Sequence, residues 1–262
     1  MEYVVVSLAA LVVAALTLFS GFGLGTILMP VFALFFPVEV AVGATAVVHL
    51  ANNIFKAVLM GKKADWKVVA QFAVPAAITA MVGAMLLNYF SKLPPVTQYS
   101  LGGQMHQITV IKLVIAGLMI GFALFELVPR LEKLSFDRKY LSLGGALSGF
   151  FGGLSGHQGA LRSAFLLRLG LDKEAFVGTG VIAAVVVDVS RLTVYGVSFL
   201  ARDFAALSGT GGVSLVITAI TAAFLGSFFG ARMIKKVTMR TIQLIVGVML
   251  FFLAIALATG LA

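Results

Sequence analysis

The chain has 262 residues, of which 61% are hydrophobic and 11% charged, and its mean hydropathy is +1.10. Soluble domains carry about 25% charged residues, so this composition excludes an ordinary soluble enzyme and predicts a polytopic membrane protein. There is no Cys and there are three His residues, so we expect neither a metal site nor any other cofactor.

Eight hydrophobic units follow one another along the chain and predict an all-α fold. The N-terminus lacks the basic region of a signal peptide, so we expect the first unit to belong to the mature protein. In chain order the units are Tyr3–Phe36, Val38–Met60, Val68–Phe90, Ile108–Val128, Tyr140–Leu169, Ala175–Leu200, Val213–Ala231 and Thr241–Ala258.

Glycine clusters interrupt the first and the fifth unit, at Gly21–Gly25 and Gly152–Gly156. Both units are too long for one span of about 30 Å and too short for two. Because glycine permits turns where other residues clash, one interpretation is a re-entrant hairpin that turns at the glycines. The other is a single long, discontinuous helix.

The distribution of basic residues favours two hairpins and six full spans. Under that topology the side opposite most of the basic residues carries both termini and the loops Ser91–Gln107 and Ala201–Gly212. Because Lys and Arg concentrate in cytoplasmic loops, both termini are predicted to be periplasmic, and the net charge of +9 indicates topology rather than a nucleic-acid partner. The thirteen basic residues on the cytoplasmic side are Lys62, Lys63, Lys67, Arg130, Lys133, Arg138, Lys139, Arg168, Lys173, Arg232, Lys235, Lys236 and Arg240.

The sequence also contains an internal duplication. Glu39–Thr45 and Glu174–Gly180 align at an offset of 135 residues, and the same offset pairs Asn53 with Asp188. One hairpin and three spans per half give an odd number of crossings, so the second half is expected to be inverted, as in many secondary transporters. The predicted organisation is a first repeat at 1–128, a charged cytoplasmic linker at 129–139 and a second repeat at 140–262.

Three clusters of polar residues lie within the second, fifth and sixth apolar units. Their members are His49, Asn52, Asn53 and Lys56, at a spacing that shares one helical face, then Ser155, His157, Gln158, Arg162 and Ser163, then Asp188, Ser190 and Arg191. An ionised side chain at the bilayer centre costs about 2.5–3.5 kcal/mol on insertion scales, so such groups normally face a partner or an aqueous cavity. We therefore expect anions near Arg162 and Arg191, one supplied by Asp188 and one by a solute.

The two glycine turns are expected to meet these clusters. A half-helix that starts at such a turn presents unpaired N–H groups and a positive dipole end to a ligand. The candidate substrate-binding residues are Gly23, Gly25, Thr26, His49, Asn52, Asn53, Ser155, His157, Gln158, Arg162, Asp188 and Arg191.

Several residues of these polar clusters also have a structural interpretation. Asn52 and Asn53 are also typical of hydrogen bonds between membrane helices. Lys56 lies near the basic side, where a long side chain can reach the headgroups. Asp188 and Arg191 are spaced for a closed ion pair. Three further residues are interpreted as structural because they lie near span ends or in a loop, namely Tyr195, Glu126 and His106.

The glycine motifs resemble those of the TauE/SafE sulfite exporter family over essentially the whole chain. The segments that carry the resemblance are Gly21–Pro30, Ala41–Thr45, Gly152–Ser163 and Gly178–Gly180. The second half departs from the family pattern, with His157-Gln158-Gly159 and Ala164-Phe165 in place of a glycine triplet and a proline. The resemblance implies a permease for small anions such as sulfite, sulfonates or sulfoacetate-like compounds in the bacterial cytoplasmic membrane.

The expected function is thus a secondary carrier for a small anion that works by alternating access and is not an enzyme. His49, His157 or Asp188 would allow coupling to protons. An anion channel is one alternative. The other is an intramembrane serine hydrolase, because Gly153-Leu154-Ser155-Gly156 is a GxSG string with His49 or His157 as a candidate base.

Overall fold

The computed structural model of the chain describes residues 2–16, 24–128, 135–202, 212–233 and 239–261. Within these residues the fold is a helical bundle with one small β-hairpin. The elements are α1 (Glu2–Leu16), α2 (Leu24–Ala33), α3 (Val38–Met60), α4 (Trp66–Phe90), β1 (Thr97–Leu101), β2 (Gln104–Ile108), α5 (Val110–Leu127), α6 (Leu141–Ser155), α7 (Gly159–Leu166), α8 (Lys173–Arg202), α9 (Gly212–Met233) and α10 (Met239–Ala258).

Helices α3, α4, α5, α8 and α9 are long and apolar enough to cross a membrane, which confirms the prediction of an all-α polytopic membrane protein. Shorter apolar helices are formed by Glu2–Ala15, by α2 and by Leu244–Ala258. The exposed face of the bundle is apolar, as a lipid-facing surface requires. On α4, for example, Val74, Ile78 and Met85 are all more than half exposed.

Helices α6 and α7 form a hairpin that starts and ends at the same end of the bundle. The backbone N–H of Phe136, before α6, donates to the carbonyl oxygen of Ala164 in α7 at 3.3 Å. Arg168, after α7, pairs with Asp137 at 3.4 Å. The turn between the helices contains Gly156, whose φ of 82° places it in the left-handed region that glycine adopts readily.

Contacts at the ends of α1 and α2 place both at the opposite end of the bundle. The Tyr3 hydroxyl at the start of α1 lies 2.5 Å from that of Ser214 at the start of α9. Four residues separate the end of α2 from α3. Glu39 at the start of α3 interacts electrostatically with Lys112 at the start of α5. The residues that join α1 to α2 lie outside the described ranges.

Packing between helices is reciprocal between the two halves of the chain. Helix α4 packs on α6 and α9 packs on α1, while α3 packs on α8 and α5 on α10. A stripe of small residues allows the first of these contacts, because a Cβ at Gly149 would lie 2.0 Å from the Ala76 carbonyl oxygen. Likewise a Cβ at Gly226 would lie 2.1 Å from the Leu11 carbonyl oxygen.

A β-hairpin occupies part of the segment expected to be a loop between α4 and α5. Strands β1 and β2 pair antiparallel around Gly102 and Gly103, which have φ values of 60° and 81°. Two positive φ values suit the tight hairpin turn that Gly-Gly favours. Nδ1 of His106 on β2 lies 3.1 Å from the carbonyl oxygen of Gly260, which follows α10. The hairpin therefore also contacts the end of α10.

Candidate functional site

The candidate site is built around the crossing of α3 and α8, which run antiparallel. Lys63, after α3, lies 3.4 Å from Glu174 at the start of α8, and Asn53 meets Asp188 in the middle of both helices. Asn53 and Asp188 are the two residues that the 135-residue offset pairs in the sequence, and their side chains touch at 3.2 Å. Helices α3 and α8 themselves start at Val38 and Lys173, which are also 135 residues apart.

Asp188 is fully buried and accepts hydrogen bonds at both carboxylate oxygens. Arg191 donates to Oδ1 from Nε at 3.1 Å and from Nη2 at 2.7 Å, and Gln158 donates to the same oxygen at 3.0 Å. Asn53 donates to Oδ2, and His49 Nδ1 lies 2.6 Å from that oxygen. An ionised carboxylate only accepts, so the His49 ring must donate there.

Arg191 links this carboxylate to the turn of the α6–α7 hairpin. Its Nη1 donates to the Gly152 carbonyl oxygen at 3.0 Å. One turn further along α8, the Tyr195 hydroxyl donates to the Gly153 carbonyl oxygen. Both residues therefore satisfy carbonyl groups at the end of α6, and the Asp188–Arg191 contact has the geometry of the closed ion pair that the spacing allowed.

The start of α7 is held by Gln158. Its backbone carbonyl accepts from the Ser148 hydroxyl at 2.8 Å, and its side-chain oxygen accepts from Arg162 Nη1 at 3.1 Å. Arg162 is 3% exposed and lies beside Gly180 of α8, where a Cβ would approach Arg162 Nε to 3.5 Å. The guanidinium group of Arg162 is thus positioned between α7 and α8 inside the bundle.

The start of α2 in the first half of the chain reaches the hairpin turn of the second half. A Cβ at Gly25 would lie 3.2 Å from the Gly156 carbonyl oxygen and 3.5 Å from His49 Cδ2. The start of α2, the end of α6 and the middle of α3 therefore meet at one place. Thr26, next to Gly25, is buried as well.

Lys56 is 6% exposed, so it lies in the interior of the described bundle and does not extend to the surface. It was not among the candidate site residues. Among the described residues it forms no hydrogen bond or ion pair, and the charged side chain with which it interacts is Arg162, another cation. Its helical spacing from His49 and Asn53 already placed it on the same face in the sequence, although only the structure shows that it is buried there.

Two other predicted residues, Ser155 and His157, form a local pair. His157 Nδ1 lies 3.0 Å from the Ser155 carbonyl oxygen and 3.1 Å from its hydroxyl, and the ring stacks on Phe122 of α5 at 5.1 Å. The carbonyl oxygen requires a proton on Nδ1, whereas a base that activates the Ser155 hydroxyl requires a lone pair there. The hydroxyl itself donates to the Phe151 carbonyl oxygen, so this arrangement is not that of an activated nucleophile.

Apart from Thr26 and the Ser155–His157 pair, the predicted residues fall into three groups. Gly25, His49, Asn53, Gln158, Arg162, Asp188 and Arg191 are connected by the contacts described above. Asn52 faces α9, where its Oδ1 accepts from the Ser227 hydroxyl at 2.8 Å. Gly23 lies outside the described residues. Tyr195, expected to be near a span end, is buried against the hairpin turn, and within the described ranges no group of His, Asp and Glu side chains has the arrangement of a metal site.

Comparison with known proteins assigns the family. The family model described as sulfite exporter TauE/SafE matches residues 6–257. Neither the curated proteins nor the solved structures gave a match. The match covers nearly the whole chain and agrees with the five helices among the described residues that can span a membrane. The chain therefore belongs to the TauE/SafE sulfite exporter family, a family of multi-pass membrane transporters of sulfite and related sulfur anions.

Proposed function

We propose that this protein is a secondary carrier for small oxyanions, sulfite or organosulfonates, with its binding site where the start of α2 and the α6–α7 turn meet α3 and α8. The observation that carries the proposal is the pair of buried cations Lys56 and Arg162. Asp188 is bound by five donor groups, Arg191 supplying two of them, and so does not pair with Lys56.

Electrostatics favour an anion beside these cations. Two like charges in a low-dielectric interior repel each other, and each also loses hydration. An oxyanion between them offsets both effects and supplies hydrogen-bond acceptors. In this proposal Arg191 positions the hairpin turn, while Arg162 and Lys56 contact the substrate.

Alternating access follows from the proposed inverted repeat. The antiparallel course of α3 and α8 and the reciprocal packing of α4 on α6 and of α9 on α1 support two related halves that exchange conformations about the central site. We further propose that both termini are periplasmic in a bacterial inner membrane, since the basic loops then face the cytoplasm.

Protons are the proposed coupling ion. His157 is 1% exposed, and its Nε2 has no hydrogen-bond partner among the described residues. With Nδ1 bound to the Ser155 carbonyl group, Nε2 is the atom that gains and loses a proton. A pH gradient that drives sulfite uptake into vesicles without a membrane potential would support this coupling, and a flux indifferent to the gradient would contradict it.

Counterflow in proteoliposomes tests the main proposal. Purified protein is reconstituted with unlabelled sulfite or isethionate inside, and uptake of the labelled anion is followed. We expect saturable exchange, and we expect Arg162→Gln to weaken apparent affinity at least tenfold, since a hydrogen bond to a charged group is worth about 1.5–3 kcal/mol. Arg168→Gln is the matched control, because Arg168 is exposed and pairs only weakly with Asp137 at 3.4 Å.

The same experiment separates a carrier from a channel. A channel gives flux that does not saturate and that unlabelled anion on the opposite side does not accelerate. Equal affinity in the Arg162 and Arg168 variants would remove Arg162 from the site.

A further inference from the structure

Helix α3 carries a continuous polar stripe that extends beyond the contacts with Asp188. Thr45, His49, Asn52 and Lys56 are spaced i, i+4, i+7 and i+11, so they lie on one face of the helix. All four are buried, with exposed fractions between 0% and 7%. A stripe of this kind on a membrane helix needs hydrogen-bond partners from elsewhere.

Two members of the stripe have unused donors. Thr45 Oγ1 and Asn52 Nδ2 have no hydrogen-bond partner among the described residues. The orientation of the Asn52 amide is set by Ser227, which donates to Oδ1 at 2.8 Å, so the NH₂ group is the part left to bind something else. Buried donors without acceptors are rare and costly, which indicates a ligand that supplies acceptors.

The carboxylate and amide oxygens described around the stripe, by contrast, already accept hydrogen bonds. The oxygens of Asp188 receive five hydrogen bonds, the Gln158 side-chain oxygen accepts from Arg162, and the Asn52 oxygen accepts from Ser227. His157 Nε2 is a buried acceptor without a partner in the described part of the chain, but a neutral ring carries no charge to offset an ammonium group.

We propose that the Thr45, Asn52 and Lys56 face of α3 contacts the transported anion, and that this surface selects oxyanions without a cationic group and rejects zwitterionic aminosulfonates. This inference rests on the proposed function and adds the chemical class of substrate to it. Among the described residues connected to this site, an ammonium group near Lys56 and Arg162 meets two cations, and the carboxylate of Asp188 already accepts five hydrogen bonds. A sulfonate whose other end is a methyl or a hydroxyl group meets no such penalty.

A set of sulfonates of matched size tests the selectivity. Ethanesulfonate, isethionate and taurine share an ethyl backbone and differ at the end distant from the sulfonate. In competition with labelled isethionate counterflow at pH 7, we expect ethanesulfonate to compete within about threefold of isethionate and taurine at least tenfold more weakly. Equal competition by taurine overturns the proposed selectivity.

Two Thr→Val substitutions test the contact itself. Thr45→Val removes a hydroxyl group that has no partner in the described part of the chain, so we expect weaker isethionate binding, by about tenfold, with thermal stability unchanged or raised. Thr79→Val is the control, because the Thr79 hydroxyl donates to the Ala146 carbonyl oxygen at 2.7 Å. It should lower thermal stability and leave isethionate binding unchanged.

Asn52→Asp gives a second, independent readout. The new carboxylate still accepts from Ser227 but replaces the unused NH₂ group with an anionic oxygen. We expect isethionate to bind at least tenfold more weakly and the preference over taurine to shrink.

The outcomes distinguish the inference from the function on which it rests. Saturable exchange that is unaffected by Thr45→Val and Asn52→Asp leaves the carrier function standing and overturns the role of the α3 stripe. Failure of the wild-type protein to exchange any sulfonate or sulfite overturns both.

Discussion

Asp188→Asn is the substitution whose effect the structure specifies most sharply. It keeps the size of the side chain but removes the charge that holds Arg191, which is fully buried and lies 2.7 Å from Oδ1. Breaking a buried ion pair by neutralising one partner costs about 3–5 kcal/mol, because the other charge stays buried. The Asn side chain also has to place its NH₂ group near one of the groups that donate a hydrogen bond to Asp188 in the wild-type protein.

The matched control is the same substitution at an exposed Asp–Arg pair. Asp137→Asn affects a carboxylate that is 62% exposed and lies 3.4 Å from Arg168. Exposed pairs of this kind contribute about 1 kcal/mol or less. The double variant Asp188→Asn with Arg191→Gln removes both buried charges, so we expect it to recover a large part of the stability that Asp188→Asn alone loses.

Reversible unfolding in mixed detergent micelles measures the free energies of unfolding of these four proteins. The expected order of stability is wild type and the Asp137 variant together, then the double variant, then Asp188→Asn. Similar losses at Asp188 and Asp137, or no recovery in the double variant, would refute the reasoning that the buried pair is a unit.

Two further predictions concern packing and topology. Gly149→Ala should destabilise the bundle by about 1–3 kcal/mol, because the new Cβ would lie 2.0 Å from the Ala76 carbonyl oxygen. Gly121→Ala is the control, since nothing lies within 4 Å of its Cβ. In the same unfolding measurement it should be neutral or slightly stabilising. A Cys introduced at Lys62, in a chain that has no other Cys, should resist labelling by a membrane-impermeant maleimide in intact cells and react after lysis. Ready labelling of intact cells would overturn the proposed orientation.

The sequence alone determined the class of the fold. Hydropathy is a local property of each segment, and it determines directly whether that segment partitions into a bilayer. Long apolar units separated by basic loops predicted a polytopic membrane protein, and the Gly152–Gly156 cluster marked where the fifth unit turns. The 135-residue offset paired Asn53 with Asp188 before any contact between them was known. The Gly102-Gly103 hairpin also had a local signal, a Gly-Gly pair between two short segments, which the hydropathy pattern obscured.

Only the tertiary structure decided which polar groups satisfy each other. Periodicity places Lys56 and Asn52 on a helix face, but burial and partners depend on which helix covers that face. Thus Lys56 is buried near Arg162, Asn52 turns to Ser227 on α9, and Arg191 is engaged by Asp188 and the Gly152 carbonyl group. Such contacts join residues far apart in the chain, and their energies depend on distances of a few ångströms that helical spacing does not specify.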